Sequence, residues 1–316
     1  MSRSAASAER ALGRLRLKQL QLLIAVGQHE NIRSAAQALH ISQPAATRMI
    51  KDMEADLGAD LFQRTNRGAL PTAQGAVLIH HAQVIFTQLG HAAQEMGDLT
   101  DGAAGRVVIG TLVAGAAQLL PMAIARVLND RPNITFKVIE GTNEVLMPRL
   151  RSGEIDMVLG RLPTHRHRRD LHQERLSVDS VYLIAGRDHP LADQRGLSFD
   201  DLKPFGWILP PPETTLRRQI EEVFVDQGQY QPPMVVESVS YLTNRTLLQN
   251  SQMIGIAPRH AVDPDRRHGA LVRLEYILPF GSGPTGVTHR GTAHLSPAAQ
   301  VLLEALRAEA DILAGN

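Results

Sequence analysis

The sequence predicts an α/β protein with a helical N-terminal head, a long linker helix and a C-terminal α/β body. Two short alanine-rich helical segments, separated by the turn HISQP, lie between Ile32 and Gly58. Apolar side chains then recur at spacings of four and three along residues 73–99, as in a long amphipathic helix. From Arg106 onward, short apolar strands alternate with helical segments. We place the head at residues 15–72, the linker helix at 73–100 and the body at 106–312.

The composition is typical of a globular chain made of two or three folding units. The chain has 316 residues, of which 43% are hydrophobic and 21% charged, and it contains no cysteine. The lack of cysteine excludes disulfides, cysteine-bearing zinc sites and thiol catalysis. No apolar run approaches the roughly 20 residues of a membrane span, and the first residues lack the apolar core of a secretory signal. We therefore expect a cytoplasmic protein without membrane contact.

Charge is distributed unevenly along the chain. Residues 1–72 contain ten Lys/Arg against six Asp/Glu, whereas the net charge of the whole chain is only +1. A basic head on a slightly acidic body suggests that the head is the part that meets a polyanion.

The head contains signals for two closely spaced helices. Asn31 can cap a helix that runs to about Leu39, and Ser42 can cap a second helix. Pro44 falls in the first turn of that second helix, where its missing N–H costs nothing, and Gly58 ends it. This arrangement is typical of a helix-turn-helix, whose second helix can enter the major groove of DNA.

The second helix has two chemically distinct faces. Gln43 lies at its leading end, where an amide can reach a base edge. A solvated alanine-rich hairpin would produce a similar pattern. The apolar face consists of Ala46, Met49, Ile50, Met53 and Leu57, and the opposite face of Pro44, Thr47, Arg48 and Lys51.

The next stretch favours DNA binding over the simple hairpin. In LFQRTNRGALPTAQG, two short extended pieces flank the turn former NRG. This predicts a small wing that offers Arg64 and Arg67 to phosphates. A helix-turn-helix followed directly by a basic wing is more specific than either piece alone.

These sixty residues resemble the winged helix-turn-helix of LysR-type transcriptional regulators. The segment SAAQALHISQPAATRMIKDMEADLGADLFQR followed by LPTAQG carries the resemblance, with Thr47 where the family usually has serine. The resemblance implies that the wing contributes Arg64 and Arg67. It also implies a DNA contact surface made by Ser34, Ser42, Gln43, Pro44, Thr47, Arg48 and Lys51.

The linker helix carries a heptad seam over about three repeats. A seam of this kind is typical of a self-pairing coiled coil, although packing against the protein's own domain is the alternative. The resembled family also dimerises through this helix. The seam consists of Leu78, Ala82, Ile85, Leu89, Ala92, Met96 and Leu99.

The body reads as β-α-β-α-β followed by a second α/β set, which predicts a parallel sheet flanked by helices. The segment GEIDMVLGR and the order of elements resemble the effector domain of LysR-type regulators, which is periplasmic-binding-protein-like, with two lobes that close on a small molecule. By this resemblance, lobe I comprises about residues 106–176 and 284–312, and lobe II about 177–283.

Candidate effector-binding residues follow from the ends of the predicted strands, because open α/β sheets bind ligands there. Arg161 and the backbone amides at helix starts would suit an anionic ligand. The candidates are Thr111, Val113, Ala114, Gly115, Thr142, Asn143, Arg161, Ser238 and Ser240.

The resemblance implies a transcriptional regulator that controls transcription in response to a small-molecule co-inducer. Its partners would be an interrupted palindromic operator in double-stranded DNA, the effector, RNA polymerase and further copies of the chain, as a homodimer that assembles to a homotetramer. We find no catalytic set and expect neither a metal nor a cofactor. An α/β enzyme or solute-binding protein with an incidental helical hairpin, and an architectural DNA binder, are the alternatives.

Overall fold

The computed structural model describes residues 13–65, 68–101, 105–162, 171–226, 234–278 and 282–315. The chain divides into two compact units, the first ending at Ala93 and the second beginning at Gln94. Within the described ranges, no helix combines the length and the apolar composition that crossing a membrane requires.

The head consists of three helices followed by an antiparallel hairpin; the second and third helices and the hairpin agree with the prediction, and the first helix is additional to it. Its inward side chains form one core, in which Leu22, Leu23, Val26 and Met53 are completely buried. The elements are α1 (Leu17–His29), α2 (Ile32–Ala38), α3 (Gln43–Leu57), β1 (Phe62–Thr65) and β2 (Gly68–Pro71).

The helix ends of the head follow the caps expected from the sequence. The Asn31 side chain accepts hydrogen bonds from two backbone N–H groups in the first turn of α2, at 2.8 and 3.2 Å. The Ser42 hydroxyl accepts one from the Ala45 N–H at 3.4 Å. Gly58 closes α3 in the left-handed conformation, with φ of 63°. These caps satisfy backbone donors that a helix end would otherwise leave unpaired.

The linker helix, α4 (Ala73–Asp101), begins as part of the core of the first unit. Ala82 is completely buried there, and the half-buried Leu78 packs against the same cluster. The predicted seam is therefore wrong at Ala82, which has no surface left for a second chain. Packing against the protein's own domain, the alternative considered above, applies to this part of the helix.

The apolar positions farther along α4 are exposed. Ile85 and Leu89 are 42% and 45% exposed, and Met96 is 71% exposed. Ala92 is also exposed, and the side chain of Leu99 lies outside the described part of the chain. The exposed part of the predicted seam thus begins at Ile85.

Among the residues that the structure describes, the first sheet of the body has the strand order β4-β3-β5-β12-β6. Strands β3, β4 and β5 are parallel, whereas β12 runs antiparallel to both of its neighbours. Its elements are β3 (Arg106–Thr111), α5 (Val113–Ala116), α6 (Leu119–Asp130), β4 (Thr135–Glu140), α7 (Asn143–Ser152), β5 (Met157–Arg161), β6 (His172–Asp179), β12 (Gly283–His289) and α12 (Pro297–Gly315).

In the described part of the chain, the second sheet has the strand order β11-β7-β10-β8-β9. It also contains both parallel and antiparallel pairs. Its core surrounds the chain's single tryptophan, Trp207, which is 1% exposed. Its elements are β7 (Val181–Gly186), α8 (Phe199–Leu202), β8 (Trp207–Leu209), α9 (Thr215–Asp226), β9 (Met234–Glu237), α10 (Tyr241–Gln249), β10 (Ile254–Pro258), α11 (Arg259–Arg267) and β11 (Leu271–Arg273).

The chain first passes between the two sheets at Ser180, because β6 ends at Asp179 and β7 begins at Val181. Residues 177–179, which the sequence analysis places in lobe II, therefore belong to the first sheet, where they pair with β12. The return crossover precedes β12, which reaches the first sheet from the second lobe and consequently runs antiparallel to β5. The parallel pairing predicted for the β-α-β-α-β segment is thus found in β3, β4 and β5, and β12 makes the complete sheet a mixed one.

A buried histidine in the second lobe is hydrogen-bonded as the neutral ring. His189 Nδ1 accepts the Leu191 N–H at 3.1 Å, and Nε2 lies 3.2 Å from the carbonyl oxygen of Gln252, to which an Nε2–H can donate. A proton on Nδ1 would face another donor. Burial lowers the pKa of His189, and the bond to Gln252 opposes this shift only in part.

The lobe is therefore expected to lose stability in mild acid. Below about pH 6.5, the ordinary pKa of histidine, the unfolded chain binds the proton and the folded chain does not, so the free energy of unfolding falls as the pH falls toward the folded pKa. Urea titrations followed by Trp207 fluorescence should give a lower midpoint at pH 5.5 than at 7.5. His189→Asn should flatten this dependence, whereas the exposed His268→Asn should not; equal slopes in both variants would refute the assignment to His189.

Candidate functional site

The outward face of α3 carries the polar and basic side chains predicted to contact DNA. Gln43, Pro44, Arg48 and Lys51 are exposed, and Thr47 is half-buried. The opposite face buries Ala46, Ile50 and Met53 in the head core. The burial of one side of the helix therefore directs the other side outward.

The close approach of α2 and α3 depends on small side chains. Ala35, Ala36 and Ala46 are at most 1% exposed within the shared core. Ser42 is exposed at the start of α3, and Ser34 is half-buried on α2. In chemical terms, the surface combines an amide, hydroxyls, a guanidinium and an ammonium group. An amide and a guanidinium can read base edges, whereas an ammonium suits phosphates.

The wing is attached by its backbone to the end of α1. The Ala69 N–H donates to the Glu30 carbonyl oxygen at 2.7 Å, and β1 pairs with β2 in antiparallel register, with Arg64 opposite Ala69. Arg67 and the side chain of Arg64 lie outside the described residues. Their predicted phosphate contacts remain predictions.

The body contains a cleft lined by residues from both sheets. It has about 910 Å³ of space not filled by atoms, its open mouth included. Of the candidates from the sequence, the lining includes Val113, Ala114, Thr142, Asn143, Arg161 and Ser238. Most of the candidates that were chosen because they follow strand ends therefore line one cleft.

Three candidates do not line the cleft. Thr111 is 1% exposed, because its side chain points into the first lobe and its hydroxyl donates to the carbonyl oxygen of Leu112 at 3.1 Å. Gly115 is packed against Leu159. Ser240 instead caps α10, where its hydroxyl accepts the N–H and the hydroxyl of Thr243.

Several polar residues of the lining were not among the candidates from the sequence. Glu144 lies in the first turn of α7, one residue after the candidate Asn143, and could have been found from that position. Asp179 ends β6, a strand that the sequence analysis did not predict. Tyr241 and Asn244 lie on α10 and face the cleft beside Ser238. Thr285 comes from the returning strand β12.

Arg161 and Asp179 form the electrostatic centre of the first lobe's side of the cleft. Burial lowers the pKa of Arg161, and the nearby Asp179 carboxylate acts in the opposite direction. Burial raises the pKa of Asp179, against the attraction of His260, Arg259 and Arg161. His260 Nε2 lies 3.7 Å from Asp179 Oδ1. Gly283 leaves room for the guanidinium, because a Cβ there would overlap it.

The second lobe's side of the cleft is held by a hydrogen-bonded set behind the lining. The Tyr241 hydroxyl donates to Asp265 at 2.8 Å, and Arg245 Nε donates to the other oxygen of the same carboxylate at 2.7 Å. Burial and the adjacent carboxylate raise the pKa of Tyr241, so the phenol stays protonated. These bonds fix the orientation of α10 and hence the position of Asn244.

Two sequence-family models match this chain. The model described as the LysR substrate binding domain matches residues 100–311, and the model described as the bacterial regulatory helix-turn-helix protein, lysR family, matches residues 17–76. Among curated proteins, the HTH-type transcriptional regulator GbpR of Azospirillum brasilense is 33% identical over 94% of this chain and 87% of its own length. PcaQ of Agrobacterium fabrum is 30% identical over 93% of this chain and 94% of its own length.

Solved structures share the fold of this chain. The crystal structure of CbnR, a LysR family transcriptional regulator, superimposes with a TM-score of 0.62 at 21% identity, covering 94% of this chain and 99% of that one. Full-length CbnR complexed with its target DNA also gives a TM-score of 0.62, at 22% identity, covering 93% of this chain and 100% of that one.

Proposed function

Because this chain belongs to the LysR family of transcriptional regulators, we propose that the outward face of α3 reads an operator while the body senses a small molecule. Regulators of this family bind DNA and effectors, and the chain is not an enzyme. The observation that supports the proposal best is the exposed set Gln43, Arg48 and Lys51, opposite the buried stripe of α3. In this arrangement Gln43 and Arg48 contact bases, and Lys51 contacts phosphate.

The proposal also includes pairing of two chains through the exposed part of the linker helix. The exposed Ile85, Leu89 and Met96 support this pairing, because apolar side chains in helical register gain stability when a second helix covers them. Two heads would then occupy the two half-sites of an interrupted palindrome. Assembly of dimers to a homotetramer, contact with RNA polymerase and a cytoplasmic location are part of the same proposal and rest on the family alone.

We further propose that the effector occupies the cleft of the body and carries an anionic group that pairs with Arg161. The half-buried guanidinium at the end of β5 supports this, because a charge-assisted hydrogen bond is strong where water is partly excluded. Occupation of a cleft between two lobes favours the arrangement in which both lobes contact the ligand, and this differential affinity is what would couple the effector to transcription.

Arg48→Ala is expected to weaken binding to operator DNA by about tenfold to a hundredfold and to change binding to random DNA much less. The loss of one bidentate base contact costs about 1–3 kcal/mol of discrimination, whereas a phosphate contact acts equally on every sequence. Fluorescence anisotropy with DNA from the region upstream of the protein's own gene, and with a random duplex of equal length, would measure both affinities.

The control for this prediction is Arg131→Ala, which removes an exposed cation from the body. It should leave both affinities unchanged. Equal losses on both DNAs in Arg48→Ala would make Arg48 a phosphate contact, and wild-type protein that ignores both DNAs at low salt would refute DNA binding by α3.

A further inference from the structure

The cleft contains several buried oxygen atoms that the protein itself leaves without hydrogen bonds. Among the described residues, no partner is found for either carboxylate oxygen of Asp179, for Asn143 Oδ1, for Asn244 Oδ1, for Glu144 Oε2 or for the Thr142 hydroxyl oxygen. All of these side chains line the cleft, and they come from both lobes. Apart from the Thr142 hydroxyl, which can also donate, each of these atoms is an acceptor.

Asp179 is the clearest of these groups. It is 3% exposed, and the Ser180 N–H acts on the carboxylate without reaching the geometry of a hydrogen bond. His260 Nε2, at 3.7 Å, is too distant for a hydrogen bond to it. A buried carboxylate with two open oxygens can accept several donors at once.

The orientation of Asn244 is defined by its own contacts. Its Nδ2 donates to the carbonyl oxygen of Ser238 at 3.4 Å, which leaves the amide oxygen as the group available to the cleft. Asn143, at the start of α7, is 6% exposed and likewise has an open amide oxygen. Acceptors thus face the cleft from both sheets.

The rest of the lining is largely apolar. Leu112, Val113, Val239 and Ile256 come from both lobes and can cover the carbon skeleton of a ligand. A ligand that suits this cleft therefore has a compact carbon frame and several hydrogen-bond donors at its edge.

We propose that the effector is a polyhydroxylated molecule of the sugar and sugar-acid class, whose hydroxyl groups donate to Asp179, Asn143 and Asn244. This inference rests on the proposed effector role of the cleft and specifies the chemistry that the cleft recognises. The same ligand can also accept hydrogen bonds from Arg161, through a hydroxyl group, a ring oxygen or a carboxylate. An acid without hydroxyl groups would bring oxygen acceptors against oxygen acceptors and leave Asp179 and both amide oxygens unpaired.

Isothermal titration calorimetry of the full chain would test this, with aldohexoses, aldopentoses and the corresponding aldonates as hydroxylated probes. Hexanoate and cyclohexanecarboxylate serve as acids without hydroxyl groups. We expect the hydroxylated probes to bind. Comparison of the affinities of the neutral sugars with those of the aldonates shows whether Arg161 pairs with a carboxylate. Neither acid without hydroxyl groups should bind within tenfold of the best hydroxylated probe.

Two variants test the named acceptors with that best probe. Asn244→Leu should weaken binding by about tenfold and Asp179→Asn by about tenfold to a hundredfold, because bonds to a charged acceptor are stronger. Asn250→Leu, at the exposed end of the same helix, should change nothing. If Asp179→Asn fails to fold, Asn244→Leu still decides the result.

The inference is overturned if an acid without hydroxyl groups binds as tightly as any hydroxylated probe, if no probe binds, or if both cleft variants bind like wild type. DNA binding by the same preparation separates this from the proposed function. If the protein binds its upstream DNA but none of the hydroxylated probes, only the proposed ligand class is refuted. If the protein binds no DNA, the proposed function as a regulator is refuted.

Discussion

A Leu89→Glu variant is expected to halve the mass of the assembled protein and to weaken its binding to operator DNA by roughly two to four orders of magnitude. Leu89 is 45% exposed on the linker helix, in register with Ile85 and Met96. In a pair of such helices, a glutamate at this position would place two charges in an apolar seam, where burial of an unpaired charge is strongly unfavourable. A head that is no longer paired through the linker helix would lose the effective concentration that a second, tethered head provides.

Sedimentation equilibrium would measure the mass, and anisotropy with the upstream DNA would measure the affinity. The matched control is Gln88→Glu, which adds the same charge at an exposed position next to the seam. That variant should keep the mass and the affinity of the wild type. An unchanged mass for Leu89→Glu would show that the linker helix does not pair through this face.

Most of the head could be predicted from sequence, because the signals of α2, α3 and the wing are local, whereas α1 was not predicted. Asn31, Ser42 and Gly58 mark helix ends through bonds and dihedral angles within a few residues, and α3 has one clear buried stripe. The heptad in α4 was less decisive. Ala82 fits the pattern of a partner-facing residue, yet it is buried in the core of its own unit, because the spacing of apolar residues does not say which surface covers them.

The body was predictable in its order of elements and less so in its pairings. The sequence of strand β6, HQERLSVD, has only two apolar residues and lacks the apolar alternation of a strand. Only one of its residues, Asp179, is fully buried. Its partner β12 lies more than a hundred residues later in the chain, and a pairing over that distance leaves no pattern in the local sequence. The mixed direction of the sheet follows from the same long-range return.

The cleft illustrates the same limit at single-residue scale. Of the residues chosen by the strand-end rule, Thr142, Asn143 and Arg161 line the cleft, whereas Thr111 lies at a strand end but points into the lobe. Asp179 and Asn244 become neighbours of these residues only when both crossovers are in place. The acceptor character of the cleft, on which the proposed ligand class depends, is therefore a property of the fold rather than of any one motif.

The wing depends on a backbone contact that tolerates no side chain, so Gly68→Ala is expected to destabilise the head by about 3 kcal/mol or more. Gly68 has φ of 145°, and a Cβ there would overlap the Glu30 carbonyl oxygen. The same carbonyl accepts the Ala69 N–H, and Glu30 itself ends α1 at φ of 51°. Neither backbone segment can move without breaking this bond, so alanine adds a steric overlap to an unfavourable dihedral angle.

Hydrogen exchange of the full chain, followed by mass spectrometry, is the suitable measurement, because the single tryptophan lies in the second lobe and does not report on the head. Amides of α1 and α3 should exchange at least about a hundredfold faster in Gly68→Ala, since 1.4 kcal/mol corresponds to a factor of ten. Gly58→Ala is the matched control, because Gly58 also has a positive φ, of 63°, but meets nothing within 4 Å. It should cost only about 1–2 kcal/mol, the strain of the left-handed conformation alone. Equal acceleration in both variants would mean that the dihedral angle, and not the contact between the wing and α1, limits the residue at position 68.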